Sequence, residues 1–119
     1  MLIGIGTDLL ELSRVPEDTR EGAEPFFAAA FTQRERSAVR EKSGGLRRRY
    51  GYAAKFAGKE AVYKAISALG CPFAPNEIEI LDDSAGRPCV SVHGKTKAAL
   101  DAELQGRCAI HLSLSFDGG

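Results

Sequence analysis

The sequence predicts a mixed α+β fold in which one long central helix packs on a small, mainly antiparallel sheet. Two observations support this prediction: an uninterrupted helix-forming stretch in the middle of the chain, and short alternating segments on either side of it. The predicted order is strand, helices, hairpin, helix and strand. With 119 residues, we expect a single domain spanning 1–119 that can bury a core of its own.

The predicted central helix is rich in alanine, lysine and glutamate and runs through residues 52–65 without a proline. Its small residues and its aromatic residues fall on two different sides at helical spacing. The first set is Ala54, Gly58, Ala61 and Ala65, and the second is Tyr52, Phe56 and Tyr63. The small side allows another element to approach the helix backbone closely. Glu60 and Lys64 lie between the sides as an i,i+4 pair, which on the helix alone is most simply a solvated pair.

Three elements are predicted before the central helix. Residues 2–7 form a strand with glycines on one face, and Asp8 follows where its apolar run ends. Residues 25–31 form a short helix. A capping box, with Thr32 as N-cap and Glu35 reaching back to it, then begins a helix that continues to about Lys42.

The C-terminal half predicts a hairpin, a helix and a final strand. Residues 77–81 and 88–93 alternate around a turn, and residues 96–104 follow as a helix. Residues 107–116 alternate most regularly, with Ser113 and Ser115 on one face. Those serines are either the solvent face of a strand or hydrogen-bond donors to a ligand.

Composition limits the possible functions. The formal net charge is +0, so we expect neither a nucleic-acid nor a membrane partner, although the basic run at 47–49 favours a nucleic-acid-binding domain as a minor alternative. Three widely spaced cysteines indicate free thiols in a reducing compartment. We find no signal peptide and no apolar run near the roughly 18 residues of a membrane span. We therefore expect a cytoplasmic protein.

Charged residues from separate elements suggest a phosphate site. Asp8 and Glu60 are carboxylates of the kind that bind Mg²⁺ together with phosphate oxygens and water. Lysines on the same helix as Glu60 can balance the phosphate charge. These lysines are Lys55, Lys59 and Lys64.

The candidate residues belong to five short motifs. In chain order they are Gly4-Ile5-Gly6-Thr7-Asp8, Phe31-Thr32-x-x-Glu35, Lys55-Phe56-Ala57-Gly58-Lys59-Glu60-Ala61-x-x-Lys64, Gly86-x-Pro88 and Ser113-Leu114-Ser115. Their order and spacing resemble those of the holo-acyl-carrier-protein synthases, the small bacterial 4′-phosphopantetheinyl transferases. The resemblance extends over nearly the whole chain.

This resemblance implies a reaction and roles for the acidic and basic residues. The enzyme would transfer 4′-phosphopantetheine from coenzyme A to a serine of apo acyl carrier protein, releasing 3′,5′-ADP, as a step of fatty acid biosynthesis and lipid metabolism. Asp8 and Glu60 would bind Mg²⁺, and Glu60 or a metal-bound water would take the serine proton. Lys64 and Lys59 would neutralise phosphate oxygens.

The resemblance also implies how coenzyme A and the carrier protein bind. Lys55, at a position usually held by arginine, keeps the positive charge without the bidentate fork. The residues Gly86, Arg87, Pro88, Ser113 and Ser115 would line the nucleotide pocket. In this family the pocket lies between subunits of a homotrimer. The run at 47–49 is either a solvated basic face or a contact to the 3′-phosphate, and Arg14 and Arg20 are candidate contacts to the carrier protein.

Two departures from the family pattern support an alternative function. Phe116 follows Ser115 where a histidine is usual, and the sequence stops at Gly119, before the further apolar strand that the family usually has. Phenylalanine can neither accept a proton nor bond a phosphate. The alternative is a non-catalytic homologue that binds coenzyme A or the carrier protein.

Overall fold

A computed structural model describes residues 4, 6–41, 44–104 and 110–112. Within these ranges the chain is helix-rich with a two-stranded antiparallel sheet, which confirms the predicted α+β fold. The helices are α1 (Pro25–Ala30), α2 (Gln33–Arg40), α3 (Gly45–Ile66) and α4 (Gly94–Leu104), and the strands are β1 (Ile78–Asp82) and β2 (Pro88–Val92). No helix in these ranges combines the length and the apolar content needed to cross a membrane.

The predicted capping box begins α2. The Thr32 side chain accepts a hydrogen bond from the Glu35 backbone N–H at 3.2 Å, and Glu35 Oε1 accepts one from the Thr32 N–H at 2.9 Å. Both groups are helix-end donors that would otherwise lack a partner. The helix ends at Arg40, slightly before the predicted Lys42.

The central helix α3 is longer than its predicted stretch, with 22 residues from Gly45 to Ile66. It therefore includes the basic run at 47–49. A 3₁₀ turn at Ser67–Leu69 follows, and Gly70 ends it at a φ of 80°, a left-handed conformation that favours glycine.

The aromatic side of α3 forms much of the core. Tyr52 packs between Phe27 and Phe31, with ring-centroid distances of 4.5 and 4.7 Å. Phe56 and Tyr63 extend this contact farther along the helix. Because these rings lie at helical spacing, one face of α3 packs Tyr52 and Phe56 against α1 and Phe31, while Tyr63 packs against Phe73.

The β1–β2 hairpin also packs against α3. Ile78 pairs with Val92 and Ile80 with Val90, and both isoleucines are buried. The predicted hairpin and the predicted fourth helix are confirmed, although α4 begins at Gly94, before the expected start at 96.

The two predicted terminal strands are only partly described. Residues 6–10 and 110–112 are not in a strand. Most of the other residues of the two predicted strands, including Ser113, Ser115 and Phe116, lie outside the described residues.

Candidate active site

The N-terminal segment crosses the small side of α3. A Cβ at Gly6 would overlap the carbonyl oxygen of Ala61, and a Cβ at Gly4 would overlap that of Ala65. The two backbones therefore approach as closely as the absence of side chains permits. This contact confirms the predicted use of the small side, and it places Asp8 beside the helix surface that carries Glu60 and Lys64.

Asp8 and Lys64 form an ion pair across this contact. Lys64 Nζ lies 2.8 Å from Asp8 Oδ1 and donates a second bond to the Thr7 carbonyl at 3.1 Å. The lysine side chain is half exposed, whereas the Asp8 side chain is mostly buried. The ammonium group is therefore accessible to a negatively charged ligand.

Glu60 has one engaged oxygen and one that lacks a partner. Its Oε2 accepts a hydrogen bond from Arg14 Nη1. Its Oε1 is buried and has no hydrogen-bond partner in the described structure. A buried carboxylate oxygen without a donor is costly, so this oxygen is an acceptor that a water, an ion or a ligand would satisfy.

Arg14 lies among several carboxylates. The hydrogen bond and charge of Glu60, with smaller effects of Glu11 and Asp8, raise the pKa of the Arg14 guanidinium above its ordinary value. Asp8, Glu60 and Lys64 are therefore brought together, with Arg14 beside them. The predicted carrier-protein residue Arg14 is thus also a neighbour of the predicted metal ligands.

The carboxylates fit a magnesium ion that also binds a phosphate ligand. Over the described ranges, no three His, Cys, Asp or Glu side chains converge as a metal site of their own. Mg²⁺ commonly uses only one or two protein carboxylates and takes its other ligands from phosphate and water. The unpartnered Glu60 Oε1 and the nearby Asp8 suit such a site.

Lys59 is not brought together with these residues. Both Lys59 and Glu35 are completely buried, and Lys59 Nζ lies 2.7 Å from Glu35 Oε1. Lys59 also donates to the carbonyls of Pro75 and Ile78, at 2.7 and 2.5 Å. Burial lowers the pKa of Lys59, while Glu35 opposes that shift. The three bonds point Lys59 into the protein, and this placement does not fit the expected phosphate contact.

Lys55 also faces the hairpin. It is buried and donates to the Ile80 carbonyl at 2.6 Å. It borders a groove of about 730 Å³ between α2 and the end of β1, where Arg34 is a second cationic residue. Within the described chain, Lys55 therefore lies on the side of α3 that faces the sheet.

The expected nucleotide-binding turn is the hairpin turn. Gly86 has a φ of 81°, and the Asp83 side chain accepts from the Ala85 and Arg87 N–H groups, both at 2.9 Å. Arg87 Nε also donates to Asp83, and its side chain is largely exposed. Pro88 begins β2. These bonds hold the turn locally, and the Arg87 side chain projects towards solvent.

The remaining candidates differ in how far they are described. Arg20 is exposed and binds Asp18 through two donors, at 2.9 and 2.6 Å. This pairing lowers the pKa of Asp18 to about 2. Ser113 and Ser115 lie outside the described residues.

Sequence reasoning missed two supporting residues. Arg49 donates to the carbonyls of Leu12 and Val15, at 2.9 to 3.0 Å, and so fixes the loop that carries Arg14. Glu35 accepts bonds from Lys59 and from the Ile80 N–H in addition to its capping role. The signal for Glu35 was its place in a capping box; for Arg49, the basic run indicated only charge.

Known proteins resemble this chain in sequence and in fold. The sequence matches the 4′-phosphopantetheinyl transferase superfamily over residues 4–109. A holo-[acyl-carrier-protein] synthase of Paramagnetospirillum magneticum is 39% identical over 119 residues, covering 98% of this chain and 88% of that protein.

Solved structures extend the likeness. The holo-ACP-synthase of Plasmodium yoelii superposes with a TM-score of 0.70 and 32% identity, covering 98% of this chain and 87% of that chain. An ACPS–CoA complex of Chronobacterium ammoniagenes superposes with a TM-score of 0.65 and 28% identity, covering 83% and 77%. The chain therefore belongs to the 4′-phosphopantetheinyl transferase superfamily and is an enzyme of its holo-[acyl-carrier-protein] synthase type.

Proposed function

We propose that the enzyme transfers 4′-phosphopantetheine from coenzyme A to a serine of apo acyl carrier protein, in a Mg²⁺-dependent reaction that releases 3′,5′-ADP. The similar protein from Chronobacterium ammoniagenes forms a complex with CoA, which supports coenzyme A as the donor. The names of the relatives support acyl carrier protein as the acceptor.

The observation that supports the proposal most strongly is that one carboxylate oxygen of Glu60 lacks a hydrogen-bond partner. Its buried Oε1 has no partner, while Asp8 is held beside the same face of α3 by Lys64. Asp8 and Glu60 would hold Mg²⁺, which supplies charge stabilisation to the diphosphate and the leaving group when bound.

The side chains around these carboxylates have separate roles in the proposal. Lys64 moves its half-exposed ammonium from Asp8 to a phosphate oxygen and balances the charge that builds on the leaving group. Glu60 accepts the proton of the attacking serine hydroxyl. Lys59 takes no part in phosphate binding, because its three donors are used inside the protein.

Coenzyme A binding would need a second part of the protein surface. We assign the rest of the pocket to Lys55 and to residues Gly86, Arg87, Pro88, Ser113 and Ser115. Lys55 faces the hairpin, and Arg87 is exposed at the hairpin turn. A homotrimer with sites between subunits would bring a neighbour's turn to Asp8 and Glu60, and we propose that arrangement.

The carrier protein would approach from the side of Arg14 and Arg20. Both side chains are exposed enough to exchange their present carboxylate partners for those of another protein. We place the reaction in the cytoplasm, as part of fatty acid biosynthesis.

Intact-mass spectrometry of apo acyl carrier protein tests the reaction. We expect a phosphopantetheine-sized mass gain with enzyme, coenzyme A and Mg²⁺, and none when a chelator removes the cation. The Glu60→Ala variant should give no gain, whereas Lys97→Ala, which removes an exposed lysine paired with Asp101, should match the unmodified enzyme. Absence of any gain across several carrier proteins would contradict the proposal.

A further inference from the structure

The Arg14–Glu60 ion pair uses only one of the two carboxylate oxygens of Glu60. Arg14 Nη1 donates to Glu60 Oε2, while Oε1 is buried without a donor. Asp8 and Glu11 add negative charge around the same guanidinium. In the absence of a cation, the positive charge beside these carboxylates therefore comes from the guanidinium, which pairs with Glu60, and from Lys64, which pairs with Asp8.

This ion pair is built to be exchanged. The Arg14 side chain is 46% exposed, in contrast to the fully enclosed Lys59–Glu35 pair. Arg49 fixes the backbone of the Arg14 loop through the carbonyls of Leu12 and Val15. A change of partner by Arg14 thus requires only a change in its own side-chain rotamer, with the loop kept in place.

We propose that Arg14 is a displaceable counter-ion of Glu60, which holds the carboxylate when no divalent cation is present and leaves it when the cation binds. The inference rests on the proposed function only in taking Asp8 and Glu60 as the cation site. A guanidinium and a divalent cation compete for one carboxylate, because each is stabilised by the same negative charge. Arg14 therefore weakens cation binding.

A partner protein that draws Arg14 away would strengthen cation binding. By linkage, the bound cation would free the guanidinium and strengthen binding of that partner by the same factor. Since Arg14 is also a proposed contact to the carrier protein, binding of the acceptor and completion of the cation site become coupled through one side chain.

Manganese binding, measured from the electron paramagnetic resonance signal of free Mn²⁺, tests the competition on the whole chain. Measurements with and without coenzyme A should show Arg14→Ala binding Mn²⁺ about fivefold more tightly than the unmodified protein, the size expected for a partly exposed ion pair. Arg14→Lys, which keeps the charge, should lie closer to the unmodified protein. Lys97→Ala, the matched loss of a paired surface cation, should leave the affinity unchanged.

A second readout follows Arg14 itself. In ¹⁵N NMR, the Arg14 guanidinium resonances should shift on titration with Mg²⁺, and the Glu60→Gln variant should lose this response. Adding apo carrier protein should tighten Mn²⁺ binding to the unmodified protein and leave that of Arg14→Ala unaltered.

The inference is overturned if Arg14→Ala binds Mn²⁺ with equal or lower affinity, or if neither protein binds it. These results are separable from the test of the reaction. A protein that shows the competition but transfers nothing would refute the proposed reaction alone. A protein that transfers phosphopantetheine with an unchanged Mn²⁺ affinity in Arg14→Ala would refute the counter-ion alone.

Discussion

Two neighbouring residues of α3, Lys59 and Glu60, face opposite surroundings. Lys59 is completely buried, and its ammonium is bonded to Glu35 and to two carbonyl groups of the chain before and within β1. Glu60 lies on the side of the N-terminal segment, with one oxygen on Arg14 and the other unpartnered. Lys59 thus makes its three hydrogen bonds inside the protein, whereas Glu60 keeps one oxygen open to a further ligand.

The stability of the fold should depend most on the buried side of α3, which carries Lys59. Replacing Lys59 by Met removes one partner of a buried ion pair and leaves Glu35 charged and enclosed. We expect a loss of about 3–5 kcal/mol in the free energy of unfolding, measured by urea denaturation. The same substitution at the half-exposed Lys64 should cost less than about 1 kcal/mol. Equal losses in the two variants would remove the distinction between the two sides.

Stability should depend nearly as strongly on the contact between the N-terminal segment and α3, which positions Asp8. Gly6→Ala puts a methyl group against the Ala61 carbonyl, so the N-terminal segment must move away from α3. We expect a destabilisation of about 1–3 kcal/mol, with a lower transfer rate because Asp8 moves as well.

The control for that substitution is Gly45→Ala at the start of α3. A Cβ there meets nothing within 4 Å, so alanine should fit without displacing the chain. A Gly6→Ala protein as stable and active as Gly45→Ala would contradict the close approach.

Local signals in the sequence predicted most of the described fold. The capping box at Thr32 and Glu35 fixed where α2 begins, and the turn between alternating segments located the hairpin, because both depend on nearby residues only. The start of α3 was missed. The structure places the basic run at 47–49 inside the helix, in keeping with arginine being a good helix former.

The orientation of the lysines was the main thing that local motifs did not reveal. The motif places Lys59, Glu60 and Lys64 together, but their directions around the helix differ. Lys55 and Lys59 share a buried stripe whose other members are Tyr52, Val62 and Ile66. That helical spacing was visible in the sequence. The partners that make burial possible, Glu35 and the β1 carbonyls, depend on tertiary contacts.

Substitutions on the exposed surface around Arg20 should affect binding of the carrier protein more than the stability of the fold. Arg20→Ala removes an exposed cation whose present partner is Asp18. If Arg20 contacts the carrier protein, KM for that protein should rise about two- to fivefold, with KM for coenzyme A unchanged, because an exposed charge contributes little. Steady-state kinetics with varied carrier protein measures this, with Lys97→Ala as the control. An unchanged KM would exclude Arg20 from the contact.

The smallest effect concerns the pH dependence of stability. Pairing with Arg20 lowers the pKa of Asp18 to about 2, below the roughly 3.9 of an unfolded chain. The stabilisation is therefore present above pH 4 and lost as pH falls through 2. The unfolding free energies of the unmodified protein and Asp18→Asn should converge over this window. A ¹³C NMR midpoint for Asp18 near 4 would show that the pairing is absent in solution.

The decisive measurement is the rate of phosphopantetheine transfer by Glu60→Gln, followed by intact mass on protein whose folding has been checked by its thermal midpoint. Glutamine keeps the size of the side chain and can still accept from Arg14, but it loses the carboxylate. We expect a rate at least about 100-fold lower, in a protein whose unfolding free energy is within about 1 kcal/mol of the original. A variant that transfers within tenfold of the original rate, or that fails to fold, would contradict the assignment of Glu60 to chemistry.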